Sequence, residues 1–157
     1  MKIVIIMGSK ADLEFSKKIE KFLNEFGIKP ILRIASAHKS PLKVLDIIKE
    51  YENDDTIFIT VAGRSNALSG FVDANTKRPV IACPNITDKN LLLIDLFSTL
   101  RMPSAVSPML ILEPENAALA ALKILALKDK NLESKINNFQ IKQKNQIEND
   151  DKELLKN

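Results

Sequence analysis

The sequence predicts an α/β fold in which a parallel sheet is covered by helices on both faces. Short, continuous apolar runs alternate along the chain with longer segments whose apolar residues recur at helical spacing. The connections between them are short, which favours right-handed crossovers between parallel strands. With 157 residues, 45% of them hydrophobic, the chain is long enough for one domain with its own hydrophobic core.

Five apolar runs are the predicted strands. The fifth contains Pro108, which argues for an edge position or a bulge because proline cannot donate to a sheet ladder. For five strands the flavodoxin-like order 2-1-3-4-5 is the natural expectation, and it makes a three-layer α/β/α sandwich. The runs cover residues 2–7, 29–35, 56–62, 79–83 and 105–112.

The segments between and after these runs are predicted helices. The helix over Leu91–Leu100 is apolar on nearly all sides, so we expect it to be buried, with a subunit interface as one possible place. Residues 128–157 are highly charged with a sparse apolar stripe, which predicts a helical extension that docks on the core or on a neighbouring subunit. The expected division is therefore a domain over 1–127 and an extension over 128–157. The other helices are expected near residues 12–26, 41–51, 71–75 and 113–127.

The composition narrows the function classes. A net charge of +3 with 5% aromatic residues gives little support for a nucleic-acid-binding face. No apolar run is long enough for a membrane span or a secretory signal. The single cysteine, Cys83, lies in an apolar run, which predicts a buried, unpaired side chain in a reduced, cytoplasmic setting.

Polar residues follow the first strand at once. Gly8-Ser9 leads into a helix, and such a junction can offer backbone N–H groups and the positive end of a helix dipole to an anion. Ser9 and Asp12 also have the spacing of a capping box, with Asp in place of Glu. The two interpretations are compatible.

The loop after the second strand carries the only histidine, His38, beside Lys39. Ser40 is expected to cap the helix that follows, and Pro41 suits its first position. Histidine is the side chain best suited to proton transfer near neutral pH, so His38 is a candidate acid or base. A loop histidine that caps a neighbouring carbonyl is the alternative.

A third polar loop, Gly63–Gly70, follows the third strand. In the order 2-1-3 these three strand ends meet, so one histidine, one carboxylate, hydroxyls and the cations Lys39 and Arg64 converge in one cleft. That set suits a small anionic, phosphorylated ligand. No phosphate-binding P-loop, dinucleotide fingerprint or metal-ligand cluster is present in the sequence, so acid–base chemistry without metal or cofactor is expected, with a nucleotide-binding module as the rival.

Five motifs, in order, resemble the PurE family, which forms carboxyaminoimidazole ribonucleotide (CAIR) in de novo purine synthesis. The resemblance runs from Lys2 to about Leu127, and each motif falls at a junction predicted above. The motifs are Met7-Gly8-Ser9 with Asp12, Ser36-Ala37-His38-Lys39-Ser40-Pro41, Val61-Ala62-Gly63-Arg64-Ser65-Asn66, Asn75-Thr76 and Ser98-Thr99-Leu100-Arg101-Met102-Pro103-Ser104.

The family has two classes. Class I enzymes are mutases of N5-carboxyaminoimidazole ribonucleotide (N5-CAIR) and carry Ser-Ala-His-Arg with a second histidine in an Ala-Gly-Gly-Ala-Ala-His loop. Class II enzymes add CO2 to aminoimidazole ribonucleotide (AIR) and carry Ser-Ala-His-Lys with an Ala-Gly-Arg-Ser-Asn-Gly loop. With His38-Lys39, Gly63–Asn66 and no second histidine, this chain resembles class II. The mutase reaction and a non-catalytic ribonucleotide-binding protein are the alternatives.

The resemblance also implies roles. His38 would transfer the proton, Lys39 would meet the phosphate, and Arg64 would line the pocket or form an ion pair between subunits. It further implies a homo-oligomer, an octamer or a tetramer, and no cofactor. The chain departs from the family pattern at Ala11, Ala67 and Asp73, and Ala67 would be strained if the loop needed a positive φ there. The substrate-binding residues would be Gly8, Ser9, Asp12, Ser36, Ala37, Lys39, Gly63, Arg64, Ser65 and Asn66.

Overall fold

The computed structural model describes residues 1–53 and 55–156; Asp54 and Asn157 lie outside the described residues. Five parallel strands form a sheet in the order β2-β1-β3-β4-β5, which confirms the predicted topology. The strands are β1 Lys2–Met7, β2 Ile31–Ile34, β3 Thr56–Val61, β4 Val80–Ala82 and β5 Met109–Leu110.

Within the described residues, six α-helices connect and follow the strands. Short 3-10 turns over Lys10–Asp12 and Lys89–Leu91 lead into the first and fourth helices. The helices are α1 Leu13–Glu25, α2 Pro41–Tyr51, α3 Ala67–Asp73, α4 Leu92–Leu100, α5 Pro114–Ala126 and α6 Lys130–Leu154.

The centre of the sheet is the pair β1–β3, in register from Lys2 opposite Thr56 to Met7 opposite Val61. The side chains of β3 are buried along the whole strand, and those of β1 from Ile3 onward. Because successive strand residues point to opposite faces, burial of every position means that both faces are covered.

The structure differs from the prediction at the third helix. A helix was expected over 71–75, but α3 begins at Ala67, and the Asn66 side chain accepts a hydrogen bond from the backbone N–H of Ser69 at 3.4 Å. Asparagine is a favoured N-cap. Gly70 lies inside this helix, so the predicted Gly63–Gly70 loop is shorter than the sequence suggested.

The fifth strand is much shorter than predicted. It consists of Met109 and Leu110 at the edge of the sheet, and Pro108 precedes it instead of lying within it. The edge position confirms the inference from proline.

The expectation that the Leu91–Leu100 helix is buried is wrong for the single chain. Leu93, Ile94, Phe97 and Leu100 of α4 are 53–67% exposed. A helix that is apolar on most sides needs more cover than one sheet face supplies.

The chain divides into two compact units, Met1–Ala121 and Leu122–Asn157. The first contains the whole sheet. In the second, Leu132 and Ile136 of the predicted apolar stripe are buried, whereas Ile147 and Leu154 are exposed.

Cys83 is buried and unpaired, as predicted. Burial, reinforced by the charges of Glu113 and Glu115, raises the pKa of its thiol to about 12. The protonated form of a thiol is a poor nucleophile, so Cys83 acts as a small core side chain.

Among the described residues, no helix is both long and apolar enough to cross a bilayer.

Candidate active site

The carboxyl ends of β1, β2, β3 and β4 surround a cleft of about 420 Å³. Every residue predicted for the site lines it except Asn66. Asn85, Thr87 and Asp95 also line it and were missed by the sequence analysis. The lining residues are Gly8, Ser9, Ala11, Asp12, Ser36, Ala37, His38, Lys39, Ala62, Gly63, Arg64, Ser65, Leu68, Asn85, Thr87 and Asp95.

The Gly8–Asp12 junction forms the predicted capping box. The backbone N–H and the hydroxyl of Ser9 lie 3.0 and 3.3 Å from Asp12 Oδ2, and Ser9 Oγ accepts from the backbone N–H of Ala11 at 3.2 Å. The N–H groups of Ser9 and Ala11 are therefore already satisfied. The expectation that this junction offers free N–H groups to an anion is wrong at these two positions.

Asp12 is almost fully buried, with 7% of its surface exposed. Its second oxygen, Oδ1, accepts a hydrogen bond from the side-chain amide of Asn85 at 3.2 Å. A buried carboxylate requires such donors. Asn85 follows β4, the neighbour of β3, so the predicted strand order was the signal that could have placed it in the cleft.

The loop that carries His38 is closed by hydroxyl groups. The backbone N–H of Ser36 donates to Ser40 Oγ at 3.0 Å, and the N–H of Lys39 donates to Ser36 Oγ at 3.2 Å. The Ser40 hydroxyl therefore turns back to Ser36 and does not cap α2 as predicted, although Pro41 takes its expected place in the first turn. His38 and Lys39 stay exposed at the mouth of the cleft.

The loop after β3 has an unusual backbone. Arg64 has φ 58°, a left-handed conformation that costs a residue with a Cβ roughly 1–2 kcal/mol. Ala67, by contrast, begins α3 with its backbone in the helix, so replacing the family's glycine there requires no positive φ. Asp73, another departure, accepts a hydrogen bond from the backbone N–H of Ser107 at 2.7 Å.

Asn66 lies beneath this loop, only 1% exposed, and does not reach the cleft. Its backbone N–H donates to Ser98 Oγ and its side-chain amide donates to Thr99 Oγ1, both at 3.0 Å. The residue joins the loop to α4 and caps α3.

Gly63 lies where two loops meet. A Cβ on it would stand 2.6 Å from the backbone oxygen of Asn85, too close for any side chain. A Cβ on Gly8 would meet Ala62 Cβ at 3.3 Å, a tight contact that a small shift relieves. Glycine at 63 therefore lets the loops after β3 and β4 approach each other.

We expect Gly63→Ala to lower the free energy of unfolding by about 2 kcal/mol, because the added methyl group forces two backbone segments apart. The matched variant Gly8→Ala should lose less than about 1 kcal/mol, since its new methyl group meets a side chain. Urea unfolding of both variants measures the difference. Equal losses would contradict the close approach at Gly63.

The cleft thus combines an exposed imidazole, the cations Lys39 and Arg64, hydroxyls, and a buried carboxylate held by donors on both oxygens. Among the described residues, no group of three His, Cys, Asp or Glu side chains could hold a metal ion. A flavodoxin-like domain with this cleft at its strand ends belongs to the class of α/β proteins that act on or bind small anionic ligands.

Comparison with known proteins narrows this class. The family model described as AIR carboxylase matches residues 2–146. The phosphoribosylaminoimidazole carboxylase of Archaeoglobus fulgidus is 61% identical over 154 residues, 98% of this chain and 85% of that protein. The mouse bifunctional phosphoribosylaminoimidazole carboxylase/phosphoribosylaminoimidazole succinocarboxamide synthetase is 44% identical over 128 residues, 80% of this chain and 30% of that protein.

The fold agrees. The crystal structure of Treponema denticola PurE superposes with a TM-score of 0.92 at 44% identity and covers 97% of each chain. The chain belongs to the AIR carboxylase (PurE) family, enzymes of purine biosynthesis, as its motifs indicated.

Proposed function

We propose that this chain is a class II enzyme that carboxylates AIR with CO2 to give CAIR. The observation that carries the proposal is the pairing of His38-Lys39 with the Gly63-Arg64-Ser65 backbone in one cleft, in a chain that has a single histidine. The class I pattern requires a second histidine. The likeness to the animal bifunctional carboxylase, whose class has this pattern, supports the same assignment.

The chemistry needs no cofactor. C4 of AIR is an enamine-type carbon, and its electron pair forms the new bond to the carbon of CO2 while one C=O π bond becomes a carboxylate oxygen. The ring then carries an extra proton at C4, and its removal restores aromaticity. His38 is the base that takes this proton, since it is exposed at the cleft mouth on a loop held by Ser36 and Ser40.

The remaining site residues bind different parts of AIR. Lys39 supplies the positive charge for the phosphate. Asp12 suits a ribose hydroxyl better than the phosphate, because like charges repel, and Ser9, Gly8, Ser36 and Ala37 shape that end of the cleft.

The other end holds the ring and CO2. Gly63 and Ser65 form this part of the pocket, with Asn66 supporting it from beneath. Arg64 either faces the ligand or pairs with an acidic group of another subunit, and both roles fit its exposed position.

Replacing His38 tests the proton transfer. His38→Asn should lower kcat about 10²- to 10⁴-fold, because no other imidazole is available, while the exposed position leaves folding unchanged. Steady-state turnover and thermal unfolding measure the two effects, with Lys43→Gln, an exposed change on α2, as the control. Near-normal turnover of His38→Asn would remove it from the mechanism.

The reaction class is tested with two substrates. Purified protein is given AIR with bicarbonate-derived CO2, or N5-CAIR in a buffer from which CO2 is scavenged. Product from AIR alone establishes the carboxylase. Product from N5-CAIR without CO2 establishes the mutase, and binding without turnover of either identifies a non-catalytic ribonucleotide-binding protein.

We further propose that the chain assembles as a homo-oligomer, an octamer or a tetramer, through α4. Leu93, Phe97 and Leu100 recur at helical spacing and are each more than half exposed, as is Ile94 beside them. An apolar patch of this kind on a water-soluble surface marks an interaction site. A second copy of the chain is its occupant, in keeping with the symmetric assembly that the family resemblance implies.

Two expectations from the sequence stay predictions. They are the docking of residues 128–157 on the core or on a neighbouring subunit, and a cytoplasmic location.

A charge on α4 tests the interface. Ile94→Glu, at a position 67% exposed in the single chain, should shift the protein to smaller species because the carboxylate would have to be buried without a partner. Leu42→Glu on α2, 74% exposed, is the matched control and should leave the assembly intact. Light scattering after size-exclusion chromatography measures both, and equal masses for the two variants would place the interface elsewhere.

A further inference from the structure

We propose that Ser98 and Thr99 of α4 are positioning residues that hold Arg64–Asn66 in the conformation that completes the ring and CO2 end of the cleft. Neither of the two lines the cleft, so each acts through the loop. The expected change in enzyme kinetics rests on the proposed function, whereas the effect of Ser98 and Thr99 on the loop conformation does not.

The loop is anchored on both sides of Ser65. Ser98 Oγ lies 3.2 Å from the backbone oxygen of Arg64 and accepts from the backbone N–H of Asn66 at 3.0 Å. The same hydroxyl lies 2.7 Å from the backbone oxygen of Asp95, so its one proton is shared between two carbonyls. One side chain therefore contacts the polar groups that flank Ser65.

The side chain of Asn66 makes the second link. Its amide nitrogen donates to Thr99 Oγ1 at 3.0 Å, while its oxygen accepts from the N–H of Ser69 in α3. Asn66 and Thr99 are 1% and 3% exposed, so no water can replace either partner without opening the contact. Asn66 can satisfy both groups only while α3, α4 and the loop keep their relative placement.

The hydrogen bonds from α4 are needed because the backbone of the loop at Arg64 is not in its conformation of lowest free energy. Arg64 has φ 58°, and only the surroundings can keep a residue with a Cβ there. If Ser98 or Thr99 loses its hydroxyl, Arg64 is free to return to negative φ. The side chains of Arg64 and Ser65 would then leave their positions in the cleft, whereas Lys39 and Asp12, on other loops, would stay.

Loss of these hydrogen bonds should affect the use of CO2 more than the binding of AIR. Most of the binding energy for AIR comes from its ribose and phosphate, which the loops after β1 and β2 hold. A change in the loop conformation should therefore raise the KM for CO2 and leave the KM for AIR nearly unchanged. A loss of folded protein would instead lower kcat and leave both KM values as they were.

The experiment compares Thr99→Val, which removes the acceptor at nearly constant volume, and Ser98→Ala with the conservative variant Thr99→Ser. The matched control is Ser69→Ala on α3, because the Ser69 hydroxyl is buried and has no hydrogen-bond partner in the part of the chain that the structure describes. For Thr99→Val and Ser98→Ala we expect the KM for CO2 to rise about tenfold, with the KM for AIR within about twofold of wild type. Thr99→Ser and Ser69→Ala should both resemble wild type.

Two measurements that need no turnover read the loop directly. Amide hydrogen exchange of Asn66 and tryptic cleavage after Arg64 should both accelerate about tenfold in Thr99→Val and Ser98→Ala, but not in Ser69→Ala. Faster exchange with an unchanged KM for CO2 would overturn the positioning role, and so would unchanged exchange. If wild type does not carboxylate AIR, the proposed function falls, and exchange and cleavage alone decide the anchor: accelerated rates support it and unchanged rates overturn it.

Discussion

The parallel pairing of β1 with β3 is the constraint on which the rest of this structure depends. The pair runs in register from Lys2 opposite Thr56 to Met7 opposite Val61, and the backbone N–H of Gly8 extends it by donating to the oxygen of Val61 at 2.9 Å. When two neighbouring parallel strands end at the same level, the loops that follow them begin side by side. The polar segments after β1 and β3 therefore meet, and with β2 and β4 as neighbours the cleft follows from strand order alone.

Short polar side chains give the cleft its shape before any ligand arrives. Ser9 holds Asp12, Ser40 closes the loop of His38, and Ser98 holds the backbone on both sides of Ser65. Each contact uses a side chain with few rotatable bonds to satisfy a backbone group or a carboxylate in or beside the cleft. A site organised in this way need not rearrange when charge develops in a reaction.

The α4 helix joins two aspects of the molecule. Ser98 and Thr99 face the loop of the cleft, whereas large apolar side chains such as Leu93 and Leu100 are exposed to solvent. The apolar surface that we propose a second copy covers and the hydroxyl groups that hold the loop of the cleft thus belong to one helix of nine residues.

The sequence by itself determined the alternation of strands and helices, because strands buried on both faces leave continuous apolar runs and their covering helices leave apolar residues at helical spacing. The sheet order and the cleft at the ends of β1, β2 and β3 followed from the fold class that this alternation predicts. Tertiary structure decided what depended on pairs distant in sequence: Asn85 against Asp12, Gly63 against the carbonyl of Asn85, and Asn66 against Thr99. It also showed Ser40 turned back to Ser36 and α4 uncovered. Composition and spacing describe one segment at a time, whereas a hydrogen bond or a close approach belongs to two, and only the fold brings the second segment into place.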